Sequence, residues 1–550
     1  MKKISAFIFL LVLFFVMRAA VLAENPNNIF GIHLAQPAAE DIRSAADLVN
    51  SGGGKWGYIT LVIQENDRSR DKWQGVFDQL RELHLIPIVR LATQAEGENW
   101  RRPEARDAKD WADFLNSLNW VVKRRYVILF NEPNHNSEWG GEVDEKSFTN
   151  VSFEFAKTLK EKNSDFFVML AGFDASAPSW PPGMEDEEVF LKRVIEQRKE
   201  LFDYVDGWAS HSYPNPGFSG SPYSTGRGTI KTYDWELSLL RSLGVSKDLP
   251  VFITETGWKL GNDGAIAQNF LTAYGIWSQD LRIIAVTPFI LNYQSPPFLE
   301  FSWKRPGDDG FWQQYYSIQA FTKTAGDPER LEKGTLTYRL PHELVAQSKY
   351  DFRVNLKNTG QAIWDKEEGY ELQITNDGVK STETLVGDIK DVKPFQERSV
   401  DFSLKTGLLE GNQKIKFSLV KGGKLIFGSR TWDFNILPLP SLEFEVNFFP
   451  FFKGKGQDFE IQIFDSEERL VYKNKGIEVK NGLGTVKTIQ NVAIDELYRI
   501  VILKPGYLPR QSFYVFKKSD NMIRFEKMLP IDFNHDGRFD WNDILKLFGR

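Results

Sequence analysis

Two glutamates in this chain end apolar runs in the same way. Val127-Ile128-Leu129-Phe130 leads straight into Asn131-Glu132-Pro133-Asn134, and Val251-Phe252-Ile253-Thr254 ends on Glu255, followed by Thr256-Gly257-Trp258. A short apolar run of this kind reads as a strand buried on both faces, and a proline just beyond it stops the ladder and starts a loop. Each run therefore delivers a carboxyl group at its C-terminal end. Two carboxyl groups facing each other are the equipment of glycosidic bond cleavage. One serves as proton donor and then base, and the other as nucleophile when the groups lie about 5 to 5.5 Å apart, or as base for a water when the gap is about 6.5 to 9.5 Å. The proton donor must hold its proton at working pH, which the charge of its partner favours. Glu65, Glu96, Glu138 and Asp174 fall near other strand ends or in the following loops, but none stands in so specific a phrase.

Positioning such a pair takes a repeating frame. Eight apolar runs alternate with helical or loop segments: Ile29 to Leu34, Trp56 to Ile63, Leu85 to Leu91, Tyr126 to Phe130, Phe166 to Ala171, Val205 to Ser210, Pro250 to Thr254 and Ile283 to Leu291. Apolar residues at helical spacing lie between them, as in Trp73 to Leu83 and Trp111 to Val122. This pattern predicts an α/β fold, a (β/α)₈ TIM barrel; the competing open doubly wound sheet lacks a glycine-rich phosphate loop after its first strand. Glu132 then ends the fourth strand and Glu255 the seventh, both on the C-terminal face where barrel active sites lie. Arg90 ends strand three and either sits under Glu255 or pairs with another carboxylate. His211 and Tyr213 in Trp208-Ala209-Ser210-His211-Ser212-Tyr213-Pro214 either hydrogen-bond Glu255 or are satisfied within the upper wall. His33, at the end of strand one, is a candidate substrate contact. Tyr293 and Trp303 follow strand eight as candidate sugar contacts, and Trp258 follows strand seven as a stacking surface for which packing is the competing role. Trp139, Trp180 and Trp312 are loop aromatics for which packing is the competing role.

Past the barrel the pattern changes. Residues 327–437 show short alternating strands with turns at Asn358-Thr359-Gly360, Asn376-Asp377-Gly378 and Gly422-Gly423, the pattern of a β-sandwich. Pro438-Leu439-Pro440 forms a stiff linker into a second small sandwich over 438–528, and 529–550 is a short terminal segment. That segment places Asp532, Asn534, Asp536, Asp540 and Asp543 at positions 1, 3, 5, 9 and 12 of an EF-hand-like loop, with Gly537 at the sharp turn and Arg538 where such loops offer a backbone carbonyl. A structural Ca²⁺ is the expected ligand, against the competing reading of a solvated charged tail; no cofactor is expected for catalysis. Residues 1–23 form a basic, then apolar, then small-residue leader with expected cleavage after Ala23, which implies a secreted or cell-surface protein. No other stretch is long and apolar enough to span a bilayer. The 74 acidic and 68 basic residues are spread along the chain with a net charge of -6, which argues against a nucleic-acid partner. The absence of cysteine excludes disulfides and thiolate metal sites.

The Asn131-Glu132-Pro133 phrase and the strand-seven Glu255 resemble clan A glycoside hydrolases, retaining (β/α)₈ enzymes, over residues 29 to 326. Asn131-Glu132-Pro133-Asn134 is most similar to family 39, and Thr254-Glu255-Thr256-Gly257-Trp258 to families 5 and 17. The resemblance implies Glu132 as acid/base, Glu255 as nucleophile, Asn131 on the sugar 2-hydroxyl, and a β-linked oligo- or polysaccharide substrate for a monomeric enzyme. Residues 350 to 364 resemble the immunoglobulin-like modules of bacterial surface glycosidases, and Lys504-Pro505-Gly506-Tyr507-Leu508 is similar to a turn of carboxypeptidase-regulatory-like sandwiches. The terminal loop resembles one half of a dockerin, which implies a cohesin-like scaffold partner, although dockerins carry two such repeats. Two other readings compete: a non-catalytic carbohydrate-binding or surface protein that reuses the barrel, and an interaction protein built for scaffold attachment.

Overall fold

The computed structural model describes residues 27–376 and 382–547. The expected leader at 1–23 and the last residues, 548–550, lie outside them. The chain divides into two compact units, the first ending at Leu331 and the second beginning at Glu332.

In the first unit each apolar run of the sequence falls on a strand. These are β1 (Gly31–Leu34), β2 (Gly57–Gln64), β3 (Leu85–Ala92), β4 (Arg125–Leu129), β5 (Phe166–Leu170), β6 (Trp208–His211), β7 (Val251–Glu255) and β8 (Ile283–Val286). A helix follows each: α1 (Ala39–Val49), α2 (Arg70–Glu82), α3 (Ala108–Ser117), α4 (Glu145–Lys162), α5 (Glu187–Arg198), α6 (Thr232–Ser242), α7 (Asp263–Trp277) and α8 (Gln313–Gln319). Neighbouring strands pair in parallel from β1 to β5 and from β6 to β8. Parallel bridges Met169↔Gly207 and Phe30↔Val286 join the two arcs, so the order closes on itself. Every residue of β4, β5 and β7 is buried, because one face looks into the ring and the other lies under helices. Side chains fix where several helices begin. Asp144 Oδ1 accepts the Ser147 N–H at 2.9 Å to start α4, Asp186 accepts two N–H groups at the head of α5, and Asn262 accepts Ala265 N–H at 3.1 Å to start α7.

The ring is filled. Tyr58, Tyr126, Phe167 and Phe252, from β2, β4, β5 and β7, meet edge to face or tilted at centroid distances from 5.2 to 6.4 Å. They sit early in their strands, below the ends that carry Glu132 and Glu255.

The second unit is mostly sheet. Gly334–Thr337, Lys349–Asn358, Glu397–Thr406 and Thr382–Val386 form one sheet; Glu343–Val345, Arg430–Leu437, Gly411–Lys421 and Tyr370–Asn376 form another, with Lys424–Leu425 at its side. Their buried residues, among them Val354, Phe402, Phe417 and Trp432, belong to one core. From Leu442 to Arg524 seven strands pair in one sheet around a second core that includes Phe444, Ile461 and Ile500, and Asn447–Phe448 and Phe452–Lys453 form a separate two-stranded sheet. Trp541–Leu547 closes the described chain as a short helix.

Candidate active site

The C-terminal ends of the ring strands open into a cavity of about 640 Å³. At the end of β4 the backbone is strained: Phe130 has φ 69° and Glu132 φ 25°, left-handed values that L-residues rarely adopt. Such strain persists only where neighbours hold it, and it clusters at functional sites. Here the Glu132 N–H donates to Gly172 O at 3.0 Å, and the Glu132 carbonyl accepts the His135 N–H at 2.9 Å. The turn leaves Asn131 and Glu132 side by side in the cavity wall.

Glu255, the last residue of β7, is only 8 % exposed. Arg90 Nη1 donates to its Oε1 at 3.2 Å and also to Asn131 Oδ1, while Tyr213 Oη donates to Oε2 at 3.1 Å. Burial by itself would push the Glu255 carboxyl up, but the charges of His211 and Arg90 together with the Tyr213 hydrogen bond outweigh it and hold the group below its ordinary value. The residue is thus kept as a carboxylate. Burial and the Glu255 charge drive the Tyr213 phenol well above its usual range, so it remains a donor. Burial drives the His33 imidazole down to about 3, and its Nε2, 4.0 Å from Glu255, stays neutral.

His211 Nδ1 stands 2.7 Å from Glu132 Oε1 and 3.9 Å from Glu255 Oε2. Burial opposes its charged form, but Glu255 and the Glu132 hydrogen bond raise its pKa. Of the two residues expected beside Glu255, Tyr213 makes the hydrogen bond, and His211 bonds Glu132 instead. One oxygen of each glutamate and a ring nitrogen of His211 lie within 4.8 Å of one another. Such a trio can ligate a divalent cation, but here Arg90 already holds Glu255 and its fixed positive charge repels a metal. The trio suits proton transfer and nucleophilic attack better than metal binding.

His211 is positioned by a missing side chain. A Cβ on Gly172, two residues past β5, would come within 2.2 Å of His211 Cδ2 and 2.4 Å of its Nε2. Gly172→Ala is therefore expected to displace the imidazole from Glu132 and lower turnover by about 100-fold, the usual effect of a misplacement near 1 Å. Turnover beside an unchanged thermal unfolding curve would show it, and wild-type turnover would refute it.

Asn131, Arg90, His33, His211, Tyr213 and Tyr293 all line the cavity with the two glutamates. Trp258 and Trp303 do not. They are 4 % and 1 % exposed, both pack edge-on against Phe270 at 4.9 Å, and Trp258 Nε1 donates to Gly220 O at 2.8 Å. The expectation that these two indoles contact sugar is corrected: burying so large an apolar surface in the core outweighs display at the mouth. Trp139 is likewise buried, against Phe130 and Phe148, while Trp180 is 68 % exposed. Phe289, Tyr293 and Phe298 supply the aromatic wall after β8.

Further wall residues come from the loops. His135 Nε2 lies 2.9 Å from Asp174 Oδ2, and that contact raises the imidazole. Glu138 sits six residues past Glu132 on a 3-10 turn, Asn136–Glu138. Burial first, and then the charge of Glu132, push its carboxyl up to about 7. The buried Trp139 next to it is the sequence signal that could have singled it out, since an anchored neighbour fixes Glu138 against the cavity.

No protein-family model and no curated protein sequence matches the chain. Solved structures do. An endo-β-1,4-glucanase of Xanthomonas axonopodis pv. citri aligns at 13% identity over 53% of this chain and 98% of its own, with a TM-score of 0.38. A β-mannanase of Thermomonospora fusca aligns at 14% identity over 54% of this chain and 89% of its own, with a TM-score of 0.36. A β-glucuronidase of Bacteroides uniformis aligns at 11% identity over 90% of this chain and 62% of its own, with a TM-score of 0.35. The functional reading rests on the side chains of the cavity.

Proposed function

We propose that the first unit is a (β/α)₈ glycoside hydrolase that cleaves β-linked glycans with retention of configuration. The observation that carries this reading is the Glu132–Glu255 pair, with oxygens within 4.8 Å across a cavity of sugar size and with Glu255 held ionised by Arg90, His211 and Tyr213. That close approach favours the shorter of the two carboxyl separations, at which the second carboxylate acts as nucleophile. In the first step a Glu255 oxygen attacks the anomeric carbon. The bond to the leaving oxygen breaks as Glu132 gives that oxygen its proton. In the second, Glu132 takes a proton from an entering water, whose oxygen attacks the anomeric carbon and frees Glu255. Asn131, fixed by Arg90, is placed to bind the sugar 2-hydroxyl. A hydrolysis screen over β-glucan, mannan, xylan, galactan and aryl glycosides tests the activity, and a 2-fluoro glycoside should label Glu255; label on another residue would move the nucleophile.

For the rest of the chain we read residues 327–437 and 438–528 as β-sandwich modules of an exported enzyme, and the terminal loop as a Ca²⁺ site. Asp532 supports the latter: it is 5 % exposed, and its Oδ1 is buried without a partner while Oδ2 accepts Gly537 N–H at 3.2 Å. A buried carboxylate oxygen aimed into an oxygen-rich loop suits a hard cation. Asn534, Asp536, Asp540, Asp543 and the Arg538 carbonyl would complete the shell. Calcium added to the chelator-treated full chain is expected to change Trp541 fluorescence and stabilise this segment by about 2.7 kcal/mol at 100 times its Kd. Asp532→Ala should abolish the response, and an unresponsive wild type would sink the assignment. A calcium-dependent pull-down with a cohesin tests the scaffold partner.

A further inference from the structure

The cavity wall holds five carboxyl groups, Asp41, Glu132, Glu138, Asp174 and Glu255, against one guanidinium, Arg90. Each cation-forming group there is already engaged or neutral. Arg90 bonds Glu255 and Asn131, His211 faces Glu132, His135 faces Asp174, and burial keeps His33 uncharged. Two carboxyls are left with amides alone as hydrogen-bond partners. Asp41, in the first turn of α1, accepts from Asn292 Nδ2 at 3.1 and 3.2 Å. Glu138 accepts from the Asn131 side chain. They belong to opposite sides of the ring, Asp41 beside the segment after β8 and Glu138 in the loop after β4.

Resting on the glycosidase reading, we propose that this cavity admits sugars without acidic groups and rejects uronates, with Asp41 and Glu138 as the selecting carboxyls. Sugar hydroxyls donate hydrogen bonds that carboxylates accept well, and an amino sugar would add charge attraction. A uronate carboxylate finds no uncommitted cation among the described lining residues, and it faces Asp41 and Glu138, which accept from amides, while Arg90, whose charge reaches Glu138, is already bound to Glu255. Like charges brought together across a desolvated site are rejected strongly, and a specific partner is selected as much by that repulsion as by attraction. The Glu138 carboxyl, already pushed up to about 7, shows that this wall tolerates added negative charge poorly.

The test uses matched aryl glycosides that differ only at C6, glucoside with glucuronide and galactoside with galacturonide, on the full chain. For whichever pair is cleaved, the uncharged member is expected to have kcat/KM on the order of 100-fold higher. Measured at about pH 8, where Glu138, pushed up to about 7, carries its charge, Glu138→Gln and Asp41→Asn, each checked for folding by circular dichroism, should narrow that ratio about tenfold by removing one repelling charge. Equal or faster cleavage of the uronide overturns the selection and leaves the hydrolase reading standing. A wild-type preference that neither variant narrows overturns the two selecting residues. No cleavage of any pair, with no labelling of Glu255 by the 2-fluoro glycoside, overturns both readings together.

Discussion

Glu255→Ala is expected to lower kcat on every cleaved glycan by on the order of 10⁴-fold or more, with little change in substrate affinity, because the group acts on the reacting carbon rather than on binding alone. The size follows from its surroundings. Arg90, Tyr213 and His211 converge on this one carboxylate. Removing it leaves the half-buried Arg90 guanidinium without the carboxylate it bonds. Glu255→Gln separates the two effects: it keeps the shape and most of the hydrogen bonds, so a loss of similar size would show that the negative oxygen, not the packing, carries the rate. Circular dichroism on both variants excludes unfolding as the cause. Retention of turnover in either variant would remove Glu255 from the mechanism.

The second large effect concerns Glu132, and it depends on the leaving group. A glycan needs its departing oxygen protonated, whereas an activated aryl glycoside expels a stable phenolate without help. Glu132→Ala is therefore expected to slow natural glycans by about 10² to 10⁴-fold, the range of general acid catalysis. The glycosyl-enzyme step should suffer much less with 2,4-dinitrophenyl glycosides. If Glu132 also serves as base in the second step, as the proposed mechanism requires, such a substrate should give a burst of phenolate followed by slow turnover. An external anion such as azide, which needs no base, should restore the steady rate. Equal losses on good and poor leaving groups, with no anion rescue, would refute the assignment.

Much of this site was legible in the chain itself. The strand-end phrases located both glutamates because a fully buried strand leaves a conspicuous apolar run, and at Glu132 a proline marks its end. Arg90 and Tyr213 were placed by counting strands, since a closed parallel ring brings all C-terminal strand ends to one mouth. What the chain did not disclose depends on direction. Neither spacing nor periodicity tells whether His211 turns to Glu132 or to Glu255; Gly172 settles that by leaving room for the ring. Trp258 and Trp303 were misjudged because an indole has the same signature in a loop whether it faces sugar or the core. Their burial on Phe270 arises from the fold of the loops after β7 and β8. Glu138 belongs to the cavity through the turn after β4 and Asp41 through the first turn of α1, and periodicity alone does not tell where either turn lies.

The aromatic layer of Tyr58, Tyr126, Phe167 and Phe252 has a bearing on traffic through the molecule. It packs the ring below the two glutamates, while the cavity lies at the C-terminal ends of the strands. Under the proposed mechanism, a water that enters by the C-terminal mouth to free the sugar from Glu255 follows the departure of the first product through it. Another sugar hydroxyl waiting at the same mouth competes with that water on equal terms. An enzyme of this shape would join sugars as well as part them, increasingly so as acceptor concentration rises.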